Sequence, residues 1–286
     1  MDRDIETPDR NAADRDPGEG HPDPREANRS QMVSRQGRSY IGRDYAYQIS
    51  LEQRQTMYEI GRFRTIATDD LRSQRYPGRD GDMRRDLRSL VEQGLVQRRT
   101  VLTGARRQKL TVVVLSRRGK DVLEREPQAH SGQRLYAGFV KPAEVAHDAA
   151  IYRMYQAESR QIAKQHGRVR RVILDYELKQ KIYAPLAKAR ALPPLEFAKR
   201  QADVARENGL PVLQGRIPLP DLRIEYETKD GDIEHVDLEL ATHHYHGSQL
   251  ATKAAAGFKM YSPADSAGHL RAVLEDREIT AAILSL

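Results

Sequence analysis

The chain has 286 residues, carries 48 Lys and Arg against 41 Asp and Glu, and contains neither cysteine nor tryptophan. Without cysteine it can form no disulfide and no Cys₂His₂ zinc finger. No apolar run approaches the roughly 18 residues of a membrane helix, and the first residues lack the apolar core of a signal peptide, so we expect two modest domains in a cytoplasmic protein without a membrane partner.

The first 40 residues differ in composition from the rest of the chain. They are rich in Asp, Arg, Pro and Gly, and within residues 1–30 there are 9 acidic and 5 basic side chains. Such a segment cannot bury enough apolar surface to offset the entropy lost on ordering. We interpret residues 1–40 as a disordered acidic tail, which either competes with DNA for a basic domain or only adds solubility.

Three helices are predicted in the first half of residues 41–126. Ser50 is a candidate N-cap, and Gln53 completes a capping box for a helix over 51–62. Thr68 is a candidate cap for a second helix over 69–76. A third helix is predicted over 82–93, where apolar residues recur at helical spacing: Met83, Leu87, Leu90 and Val91.

A hairpin and a further helix follow. The β-like runs 95–102 and 110–115 flank a turn with three cations, and Ser116 is a candidate cap for the next helix. Helix, hairpin and helix in this order are typical of a winged helix-turn-helix over 41–126. In this interpretation 82–93 is the recognition helix and 103–109 is the tip of the wing.

Positive charge is concentrated in this same part of the chain. Residues 71–120 hold 14 Lys and Arg against 4 Asp and Glu, although the formal net charge of the whole chain is only +7. A phosphate-binding surface needs such a local field, so we expect double-stranded DNA as the partner. The alternative is a solvated basic face. The predicted DNA contacts are Arg84, Arg85 and Arg88 in or beside the major groove, and Arg106, Arg107 and Lys109 on phosphates.

The rest of the chain mixes helix and strand signals. Residues 127–141 are interpreted as a linker, and 142–286 as an α/β domain. Helices are predicted over 143–166, 177–189, 195–208, 250–261 and 266–275. Strands are predicted over 169–174, 222–227, 234–241 and 279–286. Pro185 is expected to kink or divide the second helix.

A candidate catalytic site lies in residues 220–259. A turn at 229–232 makes the two flanking strands antiparallel neighbours, which places Asp221 near Glu239. Lys253 and Lys259 fall on the helix predicted next. Carboxylates bind Mg²⁺ or Mn²⁺, the metal activates water for phosphodiester cleavage, and a lysine assists, so Asp221 and Glu239 are predicted metal ligands and Lys253 their catalytic partner. The alternative is a Lys253–Glu239 ion pair in an inactive scaffold.

The chain resembles the replication-relaxation family of plasmids and integrative elements over about residues 45–261. The motifs that carry the resemblance are Met83-Arg84-Arg85-Asp86-Leu87, Leu90-Val91-Glu92-Gln93-Gly94-Leu95, Leu115-Ser116 with Gly119, Val145-Ala146-His147-Asp148, Pro220-Asp221, Val236-Asp237-Leu238-Glu239-Leu240-Ala241-Thr242, and Lys253. The resemblance implies an α+β protein in which a winged helix precedes a restriction-endonuclease-like PD-(D/E)XK core. Ala241 departs from the nuclease pattern, which has lysine there, and Lys253 could supply that lysine from the helix.

Three functions are compatible with these features. The first is a DNA-binding protein of a mobile genetic element, acting in plasmid replication, DNA relaxation or transfer beside other replication or transfer proteins. The second is an active metal-dependent DNA endonuclease. The third is a winged-helix transcriptional regulator whose second domain mediates only assembly, and the sequence leaves open whether the chain forms a homodimer.

Overall fold

The computed structural model describes residues 38–41, 46–104, 107–125, 132–242, 245–263 and 283–286, together with 268, 270 and 272. These residues form a mixed α+β structure with three sheets, which confirms the α+β part of the predicted fold class. The predicted tail over 1–40 falls almost wholly outside the described residues. So do Arg106 and most of the helix predicted over 266–275. Within the described residues no helix is both long and apolar enough to cross a bilayer.

The first half of the described chain combines four helices with a small antiparallel sheet. The helices are α1 (Leu51–Arg62), α2 (Thr68–Arg75), α3 (Asp80–Glu92) and α4 (Arg117–Glu124). The strands are β1 (Arg38–Ile41), β2 (Ala46–Ile49), β3 (Ile66–Ala67), β4 (Val96–Thr103) and β5 (Gln108–Leu115). β1 and β2 pair with each other, and β5 lies between β3 and β4.

Local side-chain caps fix two of these helices as predicted. The Ser50 hydroxyl accepts from Gln53 N, and the Gln53 side chain accepts from Ser50 N, both at 3.1 Å. Ser116 Oγ accepts from Gly119 N at 2.9 Å and starts α4. The predicted Thr68 cap is wrong. Because β3 pairs with β5 up to the start of α2, the Thr68 hydroxyl donates instead to Thr111 O at 3.0 Å.

The second half is a five-stranded sheet with helices on both faces. Its helices are α5 (Val145–Lys164), α6 (Asp175–Lys188), α7 (Pro194–Glu207) and α8 (Gly247–Ala255). Its strands are β6 (Arg168–Leu174), β7 (Leu222–Glu227), β8 (Ile233–Leu240), β9 (Lys259–Ser262) and β10 (Ile283–Ser285). The strands lie in chain order across the sheet. The pairs β6–β7 and β7–β8 are antiparallel, and β8–β9 and β9–β10 are parallel.

Two predictions for this half are corrected. The helix predicted over 250–261 ends at Ala255, because Gly257 adopts a left-handed backbone (φ +79°) and the chain continues as β9 between β8 and β10. Lys259 is therefore on a strand. Pro185 does not divide α6. Lys181, whose carbonyl loses its helical donor at Pro185, is exposed to solvent, so the lost hydrogen bond costs little.

α5 joins the two halves through a common core. It packs on β6, β7 and β8 of the large sheet and also against α2 and β3 of the first half. The Phe63 ring lies 5.0 Å from the rings of both Tyr152 and Tyr155. In the region predicted as a linker, Leu135 is buried and Tyr136 N donates to Gly61 O at 2.7 Å. The two halves are thus held together by direct packing and hydrogen bonds.

Candidate functional site

The arginines of α3 share the exposed side of that helix. Met83, Leu87 and Leu90 are buried, whereas Arg84, Arg85 and Arg88 are exposed. Arg85 pairs with Asp82 at 2.5 Å, within the first turns of the same helix. The structure therefore brings the three predicted arginines together on one surface.

A buried polar chain fixes α3 against the helices behind it. The Tyr76 hydroxyl lies 2.6 Å from Thr56 Oγ1 on α1 and donates to Asp86 Oδ2 on α3 at 3.1 Å. Burial raises the pKa of Asp86, and the hydrogen bond from Tyr76 opposes that shift. This polar chain fixes the inner side of α3, and the three arginines lie on its outer, solvent-exposed side.

The β4–β5 hairpin projects the second predicted group of cations. The ladder continues to the Thr103–Gln108 pair, and Arg107 N donates to Gly104 O across the turn at 3.1 Å. Arg107 and Lys109 are exposed at this tip, whereas Arg106 lies outside the described residues. On the same hairpin Arg99 stacks over the Phe139 ring, with its guanidinium carbon 4.0 Å from the ring centroid.

The carboxylate site begins where β7 meets β8. Leu222 is paired with Leu238, so the same register places Asp221 directly across from Glu239. Asp221 N donates to Leu238 O at 3.1 Å, and Asp221 Oδ2 accepts from Leu240 N at 2.9 Å. Asp221 and Glu239 are thus cross-strand neighbours on one face of the sheet, as the sequence predicts.

Lys253 reaches this pair from α8. Its Nζ lies 2.7 Å from Glu239 Oε1 and donates to Leu219 O at 2.6 Å. The Tyr245 hydroxyl also donates to Glu239 Oε1, at 2.5 Å. The three predicted residues therefore converge, and Tyr245 is an addition that sequence reasoning missed because it lies in the loop before α8.

Glu239 has the environment of a reactive carboxyl group. It is fully buried, and among the described residues its Oε2 has no hydrogen-bond partner. Burial and then the charge of Asp221 raise its pKa to about 7, against the opposing effect of Lys253. A buried carboxylate with one unsatisfied oxygen favours a nearby cation.

His147 is the second residue that the site gains from the fold. It lies in the first turn of α5, with Nε2 3.6 Å from Asp221 Oδ2 and Nδ1 3.5 Å from Asp148 Oδ1. These interactions with Asp148 and Asp221 raise the pKa of His147 to about 10, and burial only partly opposes them. Asp148 in turn lies 3.4 Å from Arg64 of the first half. The sequence signal was the motif around His147, but only the packing of α5 shows that it reaches Asp221.

Other charged residues of this stretch lie away from the carboxylate pair. Lys259 binds Glu158 of α5, at 2.7 Å from its Oε2. Asp237 shares a face with Glu239 but is held by a bidentate contact with Arg223, at 2.6 and 2.7 Å. Ala241 is buried and donates its N–H to Tyr261 O at 2.8 Å. Because its side chain is a methyl group, this position supplies no amine to the carboxylates.

The donor set agrees with a magnesium-type ion better than with zinc. Within the described residues no group of three or more His, Asp or Glu side chains is arranged as a metal cage. Mg²⁺ does not need such a cage, because it keeps several waters and binds through one or two carboxylates and substrate phosphates. Asp221 and the unpartnered oxygen of Glu239 supply two such carboxylates.

Comparison with known proteins gives no family assignment. No family model, curated protein or solved structure matches the chain.

Proposed function

We propose that this chain is a double-stranded DNA-binding protein of a mobile genetic element. Residues 41–126 act as a winged helix-turn-helix, and residues 142–286 form a nuclease-like PD-(D/E)XK-type domain. Its part in plasmid replication, DNA relaxation or transfer is what the resemblance to the replication-relaxation family implies. The observation that carries DNA binding is the exposed surface shared by Arg84, Arg85 and Arg88.

The order of elements in the first half supports this proposal. α1, β3, α2, α3 and the β4–β5 hairpin follow one another, and β5 lies between β3 and β4 in the sheet. In a winged helix-turn-helix the helix at the position of α3 enters the major groove, and the hairpin lies along the backbone. Exposed arginines on α3 and exposed cations at the hairpin tip are the charges that this mode of binding requires.

The second half supports the nuclease-like assignment. An aspartate precedes β7, a glutamate lies across from it on β8, and a lysine reaches them from α8. This order of Asp, Glu and Lys is the one that the PD-(D/E)XK resemblance implies, with the lysine moved from the strand to the helix. Ala241 does not leave the site without a lysine, because Lys253 makes its ion pair with Glu239.

The same geometry favours a second candidate function, metal-dependent cleavage of a DNA phosphodiester. Asp221 and Glu239 would hold Mg²⁺ or Mn²⁺, which would supply Lewis-acid activation of water and of the phosphate. Lys253 places an ammonium group beside the developing negative charge, and Leu219 O orients it. His147 can hold a proton beside Asp221.

The DNA-binding proposal is tested by fluorescence anisotropy with a labelled random-sequence duplex. The double substitution Arg84→Ala/Arg88→Ala should weaken binding at least tenfold, which is about 1.4 kcal/mol or more for two lost contacts. Arg206→Ala is the matched control, because Arg206 is exposed on α7 in the other half of the molecule. Equal affinity of all three proteins would reject the α3 surface.

Cleavage is tested separately with supercoiled plasmid in Mg²⁺ or Mn²⁺. The second candidate function predicts nicked or linear product from the wild type and none from Glu239→Gln. Intact plasmid with both proteins, at concentrations that bind it fully, would reject cleavage and leave the DNA-binding proposal standing.

A further inference from the structure

Two exposed tyrosines mark one side of α6. Tyr176 and Tyr183 are 54% and 53% exposed and stand seven residues apart. Seven residues are two helical turns, so both rings lie on one side of the helix about 10 Å apart. Lys179 and Gln180 are exposed between them. We call these four residues the α6 face.

The α6 face is cationic as well as aromatic. Lys179 keeps 51% of its side chain exposed on the same side of α6 as the two tyrosines, whereas Lys181 pairs with Glu177 at 3.3 Å on the other side of the helix. Glu177 is the acidic residue of 176–190, and it is buried against Arg171. The two aromatic rings can stack on nucleotide bases, and the neighbouring cation can bind a nucleotide phosphate.

Arg134 adds a planar cation to this surface. Its guanidinium carbon lies 5.6 Å from the centroid of the Tyr176 ring, and its Nη1 donates to Gln180 Oε1 at 2.8 Å. The segment before α5 and the helix α6 therefore build the face together, and Tyr176 is held in place from one side.

The position of the α6 face connects it with the candidate catalytic site. α6 begins at Asp175, whose N–H donates to Asp221 O at 3.0 Å. Lys179, one turn further along α6, pairs with the Asp175 side chain at 2.5 Å. A DNA strand lying along the face would thus run towards the Asp221 end of β7.

We propose that the α6 face binds unpaired, single-stranded DNA, with bases stacked on Tyr176 and Tyr183 and phosphates at Lys179 and Arg134. In a duplex the base faces are covered by neighbouring base pairs, so exposed rings select a strand whose bases are free. The inference rests on the proposed function and deepens it. The first half would hold duplex, while the second half would receive an opened strand beside its carboxylates.

The test measures the affinity of a fluorescein-labelled oligothymidylate by anisotropy. Tyr176→Ala/Tyr183→Ala should lose on the order of tenfold or more in affinity, because each stacked base contributes measurably to binding. Tyr176→Phe/Tyr183→Phe keeps the rings and should bind like the wild type. Ile233→Ala is the matched control, since Ile233 is 63% exposed at the opposite end of β7 and β8 from Asp221.

An abasic oligonucleotide of the same length separates stacking from charge. It should bind the wild type and the double alanine variant equally, because it has phosphates but no bases. An unchanged oligothymidylate affinity in the alanine variant would overturn the proposal. So would self-association of the wild type that this variant abolishes, because the face would then bind a second copy of the chain.

Duplex affinity measured in parallel distinguishes duplex binding by α3 from single-strand binding by the α6 face. The alanine variant should keep wild-type duplex affinity, because the α3 arginines are unchanged. Failure of the wild type to bind duplex would count against the proposed function, whereas the tyrosine-dependent binding of oligothymidylate decides the α6 face.

Discussion

Asp221 is hydrogen bonded to the backbone on both sides of Glu239. Its N–H donates to Leu238 O at 3.1 Å, and its Oδ2 accepts from Leu240 N at 2.9 Å. The two carboxyl groups are therefore fixed side by side before any ligand arrives. Neighbouring carboxylates repel each other, and a divalent cation is the ligand that best relieves this repulsion.

We expect the Asp221–Glu239 pair to bind a divalent ion. Isothermal titration with Mg²⁺ and Mn²⁺ should show a site in the wild type that Glu239→Gln removes. Glu225→Gln is the matched control, because Glu225 lies further along β7 and is paired with His235. Absence of binding to the wild type, or equal binding to all three proteins, would reject the metal site.

Lys253 should be required to keep Glu239 charged in its buried position. Lys253→Met should destabilise the fold at pH 8 by about 3 kcal/mol, because removing one partner leaves an uncompensated buried charge. Combining it with Glu239→Gln should recover most of that loss, which thermal unfolding of the four proteins in a double-mutant cycle measures. Additive losses would show that the 2.7 Å contact contributes no coupling energy.

His147 should make stability depend on pH in the alkaline direction. Its folded pKa of about 10 lies above the ordinary histidine pKa of 6.5, so the folded state holds this proton more tightly than the unfolded chain. The resulting stabilisation is fully present below pH 6.5 and is lost as the pH rises towards 10. Urea unfolding from pH 6 to 10 should therefore show a difference between wild type and His147→Gln that shrinks with pH. Parallel curves would contradict the interaction with Asp148 and Asp221.

The hairpin tip should contribute affinity without sequence preference. Arg107→Ala/Lys109→Ala should weaken binding to every duplex alike and reduce the salt dependence by about one unit for each lost phosphate contact. Anisotropy titrations across a series of salt concentrations measure both quantities, with Arg206→Ala as the control. An unchanged salt slope in the double variant would remove the tip from the DNA interface.

Elements with a strong local signal were predictable from the sequence. The Ser50–Gln53 capping box defined α1, and the alternation around the turn at Gly231 defined β7 and the facing strand. The secondary structure of the stretch after Lys253 was not predictable in this way. Its Ala-rich composition favours helix, but Met260 and Tyr261 are drawn into a strand by β8 on one side and β10 on the other. Pairing partners so distant along the chain leave no local pattern.

In the candidate site, too, the contacts set by local strand pairing were predictable and those set by distant packing were not. A hairpin has one register once its turn is known, and this register brought Asp221 opposite Glu239. His147 and Tyr245 reach the same carboxylates through the packing of α5 and of the loop before α8. The alternating pattern also predicted that Asp237 would share the face of Glu239, but not that Arg223 would occupy both of its oxygens.

The location of DNA on α3 can be measured directly, because the chain has no cysteine of its own. A single cysteine at Val91, which is 40% exposed three residues after Arg88, can carry a photo-cross-linker, and Ile233→Cys is the matched control. Our account predicts efficient cross-linking of a labelled duplex from Val91→Cys and little from Ile233→Cys. Equal cross-linking from both positions, or cross-linking from Ile233→Cys alone, would contradict it.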